Sequence, residues 1–381
     1  MKIALFSSAI EPKDGYGNIA YELTQELMSM GIDLTLFLPK SLDGIGPQLG
    51  LQCETRYVLP GYVYRMYQRQ APFYLKTVNV EEFDLVHSLF SFPYCFVAGR
   101  SAKRYNKPFI MGAQGTHGVR PLTYKPERWM LKWSYKQADT IIVPSAYTRD
   151  QILQHSGEQY NIDIIHNGVH FDRFQKNVDA DVERIRAQYP GKKILLTVGG
   201  LWGRKGHDLV ISALAGIREK RNDVVYVIVG EGNAQADLEV LAAGFGVRDM
   251  VEFVGRKSGD ELVAYFKACD IYVHTPKVID LKFEGFGIVY LEASACAKPI
   301  VATDAGGVRD AVLDGKTGLI AGNEDIAGIS ERITRLLDDP MLAERLGEEG
   351  KNYASEHSWN LIAKKYIETY ESLLEKAPQS D

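Results

Sequence analysis

The sequence predicts an α/β protein of two tandem domains, each a parallel sheet covered by helices, and three observations carry that prediction. Short apolar, often β-branched runs at residues 2–7, 34–38, 85–87, 109–111 and 140–143 alternate with helix-length amphipathic stretches. This is the rhythm of a parallel sheet whose strands are buried on both faces. The same rhythm restarts at 193–198 and continues at 224–229, 251–254, 271–274 and 300–302. The third observation is length: 381 residues exceed what one core ordinarily holds, at roughly 100 to 200 residues per domain. Between the halves, residues 172–190 are polar, with Asp179, Asp181 and Glu183 and few large apolar side chains, which places a linker near the start of that stretch. The expected division is 1–172, 173–357 and a terminal segment 358–381. In the last segment Leu361, Ile362, Tyr366, Ile367, Tyr370 and Leu373 recur at helical spacing, so a terminal helix must pack on something.

Composition narrows the function. Hydrophobic residues make up 45% and charged residues 24% of the chain, the balance of a folded globular protein without a long disordered tail. A net charge of −5 gives no global attraction to nucleic acid, whose phosphates demand clustered Lys and Arg. The four cysteines, Cys53, Cys95, Cys269 and Cys296, form no CxxC pair and have no histidine at metal-ligand spacing, so buried thiols in a reducing compartment are expected. The N-terminal MKIALFSSAI reads as a first strand, because Glu11, Pro12 and Asp14 end its apolar run too early for a signal peptide. No run approaches the roughly 20 apolar residues of a membrane span. A cytoplasmic protein, at most peripheral to the inner face of a membrane, is expected.

In open α/β sheets ligands bind outside the carboxyl ends of the strands, so two facing domains would place a substrate in the cleft between them. Chemistry is therefore sought in strand-to-helix loops. The segment FEGFGIVYLEA, residues 283–293, combines such a loop with two glycines and the acids Glu284 and Glu292. A helix beginning near Gly287 would turn the free amides of Phe286, Gly287 and Ile288 outward as an anion site for phosphate. Glu284 then precedes the helix. Glu292, more than a turn inside it, can accept hydrogen bonds from a pair of ribose hydroxyls. Taken singly, Glu284 reads as well as an acid favouring the helix dipole, and Glu292 as a buried or surface acid.

A second motif supports the first. TVGGLWGRKGHDL, residues 197–209, follows a strand and opens a helix, placing Arg204 and Lys205 in another such loop. Two cations beside a helix N-terminus suit a diphosphate; alone they would read as a solvated loop pair. Together these motifs make the chain resemble glycosyltransferase family 4, retaining enzymes of the two-domain GT-B fold, over nearly its whole length. The family's two glutamates separated by seven residues match Glu284 and Glu292, and its glycine-rich Arg-Lys-Gly loop matches residues 199–206. The resemblance implies two Rossmann-like domains facing a central cleft, with the terminal helix packing back on the first. It implies a nucleoside-diphosphate-sugar donor bound by Gly200, Arg204 and Lys205 at the diphosphate, Glu292 at the ribose and Glu284 at the transferred sugar. EFVGRKSGDEL, residues 252–262, resembles the base-binding loop, with the backbone around Arg256 and Lys257 as the contact, and VGEG, residues 229–232, resembles the other nucleotide-side loop. NGV, residues 167–169, resembles the family's interdomain segment. Two departures stand out. The approach to the first glutamate, TPKVIDLKFEGFG, is several residues longer than the family's, and Ala297 replaces the usual glycine two residues before Pro299.

In the first domain, Gly15 and Gly17 lie between the first strand and a helix. They lack the third glycine of a dinucleotide fingerprint, and a simple turn explains them equally. By resemblance this loop faces donor phosphate or acceptor, which assigns Gly17 to the site. His117, in MGAQGTHGVRPL just beyond a strand, reads from its residues alone as a loop histidine bonded to nearby backbone. The family carries an active-site histidine in the corresponding loop. His87, His166 and His207 read as structural. Residues 61–76 and 119–136 are basic and aromatic; they suit an anionic membrane surface, a carbohydrate acceptor, or a helix with inward aromatics.

Breaking the anomeric bond leaves negative charge on the departing diphosphate, which Arg204, Lys205 and the helix terminus would stabilise. The one Asp-x-Asp triplet, residues 179–181, lies in the polar linker, so no metal and no other cofactor are expected. The resemblance implies retention of configuration, with the acceptor, a glycan or lipid hydroxyl, attacking from the face the diphosphate leaves. Catalytic roles fall to His117, Glu284, Lys205 and Arg204. The alternatives are a nucleotide-sugar epimerase or hydrolase on the same fold, and a non-catalytic sugar-binding protein.

Overall fold

A computed structural model describes residues 1–60 and 74–376. The chain forms two compact units, residues 1–168 with 359–381, and 169–358. The first unit holds a seven-stranded sheet in the order β3-β2-β1-β4-β5-β6-β7. Its strands are β1 (Lys2–Phe6), β2 (Asp33–Pro39), β3 (Glu54–Leu59), β4 (Leu85–Ser88), β5 (Phe109–Gly112), β6 (Thr140–Val143) and β7 (Ile162–Ile164). The second unit holds six, in the order β10-β9-β8-β11-β12-β13: β8 (Lys193–Val198), β9 (Val224–Val229), β10 (Val251–Phe253), β11 (Ile271–His274), β12 (Ile300–Thr303) and β13 (Gly318–Ala321). All pairs are parallel. Each sheet therefore reverses its winding beside its first strand, at β1/β4 and at β8/β11, the place where such sheets bind ligands.

The ten strands expected from apolar runs are present. The three not foreseen, β3, β7 and β13, all lie at sheet edges. An edge strand need not be apolar on both faces. β3 is largely half-exposed, β7 has three residues with an exposed Asp163, and β13 is a four-residue GLIA.

The polar stretch after residue 170 is helical. Helices Phe171–Gln175 and Asp179–Arg186, with Val178 as N-cap of the second, turn Phe174, Val178 and Ile185 into the core of the second unit, beside Phe266 and Tyr272. Asp179 and Asp181 stand in the first turn of the latter helix, where acids complement its dipole, and Asp181 pairs with Arg184 at 2.9 Å. The terminal helix Trp359–Lys376 belongs to the first unit and packs on the helix Gly15–Ser29. Its buried Tyr370 hydroxyl lies 2.8 Å from His87 Nδ1, which gives His87 a structural task. Burial pushes the Cys95 and Cys269 thiols up to about 12; Cys53 and Cys296 are half-buried. Among the described residues no helix is long and apolar enough to cross a membrane.

Candidate active site

In the second unit the loops after adjacent strands are joined by backbone hydrogen bonds. Gly199 N–H donates to Val229 O at 2.9 Å, Leu201 N–H to Glu231 O at 3.0 Å, and Gly230 N–H to Gly255 O at 2.9 Å. Lys277 N–H donates to Arg204 O, and Gly307 N–H to Glu284 O, both at 2.8 Å. The five loops after β8 to β12 thus form one continuous floor at the carboxyl end of the sheet.

Arg204 and Lys205 sit in a short 3-10 turn, Gly203–Lys205, closed by Gly206 at φ +73°. A Cβ on Gly206 would collide with the Thr275 carbonyl, so only glycine lets this loop lie against the end of β11. Both cations reach one oxygen of Glu284: Lys205 Nζ lies 2.6 Å and Arg204 Nη1 3.3 Å from Oε2. The side chains of Lys205 and Glu284 are each 14% exposed. Burial alone would push the Glu284 carboxyl up, but Lys205, then His274 and Arg204, outweigh it and hold the group well below the usual carboxylate range.

His274, the last residue of β11, is fully buried, with Nε2 3.8 Å from the same Glu284 oxygen. Beyond that approach to Glu284 neither ring nitrogen has a hydrogen-bond partner among the described residues, and burial lowers the ring to about 4, so it is neutral near pH 7. Sequence reasoning passed over His274 as a strand end. Its place directly before the motif loop is the signal that was available.

The helix Ile288–Ala295 begins where the sequence places it, with Gly287 at φ +93° as N-cap and no side-chain cap. Phe283 and Phe286 are buried and pin the loop on both sides of Glu284. Glu292 is half-buried, one turn along the helix from Ile288 and on the same face. The Gly200 carbonyl oxygen lies 3.3 Å from His207 Nε2. At the loop after β10, Lys257 pairs with Glu261 at 2.9 Å and covers the Tyr265 ring, while Arg256 is exposed. The long approach to Glu284 folds into a tight turn: Ile279 and Lys282 exchange backbone hydrogen bonds around Asp280 and Leu281, both at positive φ, a type I′ geometry. Lys277 anchors it through Asp208 at 2.7 Å.

In the first unit His117 lies in the short helix Thr116–Val119 after β5. Tyr16, unforeseen, joins three strand-end loops. Its ring meets His117 edge-on at 5.1 Å between centroids and Phe90 at 4.9 Å, and its hydroxyl donates to Gln114 O at 2.6 Å. Gly17 stands in the first turn of Gly15–Ser29, its N–H donating to the cap Asp14 Oδ1 at 2.9 Å. A Cβ there would strike the Glu11 carbonyl, so local packing already requires this glycine. Of the two basic aromatic stretches, residues 61–73 lie outside the described residues. In the other, the helix Glu127–Gln137 turns Met130, Leu131 and Tyr135 inward and leaves Trp129 60% exposed. Lys132 and Lys136 both pair with Glu158.

The chain matches two family models, Glycosyltransferase Family 4 over residues 13–173 and Glycosyl transferases group 1 over residues 180–353. It is 32% identical over 260 residues to a GDP-mannose-dependent alpha-(1-6)-phosphatidylinositol monomannoside mannosyltransferase of Mycolicibacterium smegmatis, covering 67% of this chain and 68% of that one. The crystal structure of Anabaena HepE in complex with UDP superposes with a TM-score of 0.79 at 20% identity, over 98% of this chain and all of the other. A sucrose-phosphate synthase from Thermosynechococcus elongatus does so with a TM-score of 0.76 at 22% identity, over 99% of this chain and all of the other. Two parallel Rossmann-like sheets, the linked loops at the strand ends of the second and these matches lead to one conclusion: the chain belongs to the group 1 glycosyltransferases of family 4 and has the GT-B fold.

Proposed function

We propose that this glycosyltransferase takes its sugar from a nucleoside-diphosphate sugar, retains the anomeric configuration, needs no metal ion, and transfers to a hydroxyl of a glycan or lipid-linked acceptor. The observation that carries the reading is the convergence of Arg204 and Lys205 on Glu284 beside the uncapped helix start at Gly287. Two fixed cations and a helix N-terminus supply the positive charge that a departing diphosphate needs. Glu292 would hold ribose, the main chain around Arg256 and Lys257 the base, and Glu284 the sugar. His117, beside Tyr16, would meet the acceptor or the transferred sugar, and a leaving phosphate oxygen would take the acceptor's proton.

The relatives direct the donor screen: the mannosyltransferase is GDP-mannose-dependent and the HepE crystals hold UDP. GDP-mannose and UDP-glucose should therefore be tried first, by thermal shift, since a bound donor stabilises the fold by mass action. With the donor found, transfer should persist in a chelator and the product should keep the donor's anomeric configuration by NMR. Loss of activity in the chelator, or inversion, would each overturn its part of the reading. Exposed Trp129, with Lys125 and Arg128 also exposed beside it, favours an acceptor presented at an anionic membrane surface. Co-sedimentation with anionic but not neutral vesicles, reduced in Trp129→Ala, tests that part.

A further inference from the structure

Glu284 is more heavily compensated than a sugar-binding carboxylate requires. One of its oxygens takes both Lys205 and Arg204, and the Lys205 side chain, whose ammonium reaches it at 2.6 Å, is itself only 14% exposed. These are the two cations that the reading above gives to the donor diphosphate. A charge-assisted hydrogen bond is directional, and a lysine turned fully to one anion is partly lost to the other. His274 stands behind, buried, 3.8 Å from the shared oxygen and with no other partner for its ring nitrogens among the described residues.

We propose that Glu284 and the diphosphate compete for Lys205 and Arg204, and that this competition makes the protein hold a complete nucleoside-diphosphate sugar in preference to the nucleoside diphosphate left after transfer. The inference rests on the donor reading of the site. A diphosphate that draws the cations toward itself leaves a mostly buried carboxylate short of partners, with His274 the nearest remaining donor. Hydroxyls of the sugar restore what Glu284 loses. The nucleoside diphosphate alone restores nothing, and the product is loosened.

Calorimetric titration of the full chain with UDP, UDP-glucose, GDP and GDP-mannose, for wild type and Glu284→Gln, tests this. The amide keeps the shape and gives up the charge that competes. The expected result is a nucleoside diphosphate bound about tenfold tighter by the variant, within the worth of a hydrogen bond to a charged group, with a smaller gain or a loss for the nucleotide sugar. Unchanged or weaker nucleoside diphosphate binding in a folded variant overturns the competition and leaves the donor reading intact. Wild-type protein that binds none of the four nucleotides fails the donor reading itself. A measurement on the wild type removes any dependence on the variant's folding: the carboxyl carbon of Glu284, in glutamate-labelled protein, should titrate at higher pH once the nucleoside diphosphate is bound. Among the described residues the titratable and charged groups that act on it are Lys205, Arg204, His274, Tyr272 and Tyr290. A titration unmoved by the nucleotide overturns the proposal.

Discussion

The two units wind their sheets in the same order and reverse at the same place, yet the loops at their reversal points have opposite character. In the second unit they are ionic and tied together through the main chain, with Arg204, Lys205 and Glu284 joined and Lys277 bolted to Asp208. In the first they are aromatic, with Tyr16 spanning Phe90 and His117 and a neutral bond to Gln114 O. On the proposed function this is a division of labour. Every nucleoside-diphosphate donor presents the same two phosphates, so a rigid charged floor suits it. Acceptors share only a hydroxyl and apolar sugar faces, which rings and an imidazole can meet.

Removing a cation from the ionic site should have the largest effect. Lys205→Ala should lower transfer on the order of 10²–10³-fold, the usual scale for one electrostatic contact to developing charge, with donor binding weakened and the fold retained. A near-wild-type rate would mean that the charge in these loops does no chemistry.

Acid should separate the units next. Burial lowers His87 in the first unit and His207 in the second to about 3, and His274 to about 4. These histidines stay neutral when folded, whereas the unfolded chain takes up their protons at the ordinary value of 6.5. Stability is thus unaffected well above that value and falls as pH drops below it, toward 4 and 3. Near pH 5.5 the second unit should have lost about 3 kcal/mol and the first about half that, at ~1.4 kcal/mol per histidine and pH unit. Hydrogen exchange as a function of pH would show it, and equal slopes in both units would mean that these buried histidines do not set the acid sensitivity.

His117→Ala should act more mildly, raising the acceptor KM about tenfold, the scale of one lost hydrogen bond, with the nucleotide Kd unchanged. An altered nucleotide Kd would mean that His117 serves the donor as well as the acceptor.

How much of this was legible depended on distance along the chain. Central strands announce themselves because both faces are buried, so 193–198 and 224–229 read as unbroken apolar runs. Edge strands such as Glu54–Leu59 do not, and Phe174, Val178 and Ile185 were hidden among charges because each helix there buries only one stripe. Loops that follow strands could be located, and with them Arg204, Lys205, Glu284 and His117. Pairings could not: Lys205 and Glu284 are 79 residues apart, and Tyr16 and Gln114 are 98. Register between loops is set by the packed sheet, and no local pattern encodes it.

The smallest effect concerns backbone strain, which is also unevenly shared. Among the described residues the first unit has one non-glycine residue at positive φ, Asn106, and the second has Asp280, Leu281, Ala297 and Glu324. Ala297 is where the family usually has glycine. It holds φ +54° in the turn before β12, and its carbonyl presses so closely on Gly347 that a Cβ there would not fit. The helix Pro340–Ser355 thus fixes the turn from outside, and the alanine cannot relax. Glycine would relieve a left-handed conformation that costs roughly 1–2 kcal/mol, less the ~0.4–1 kcal/mol of extra unfolded-chain freedom it brings. Ala297→Gly should therefore stabilise the second unit by about 0.5–1 kcal/mol and leave transfer unchanged, because the strain lies away from the ionic floor. Urea unfolding measures the first and steady-state kinetics the second. A stabilised variant with a slower reaction would mean that the strained turn also helps to hold the donor loops in place.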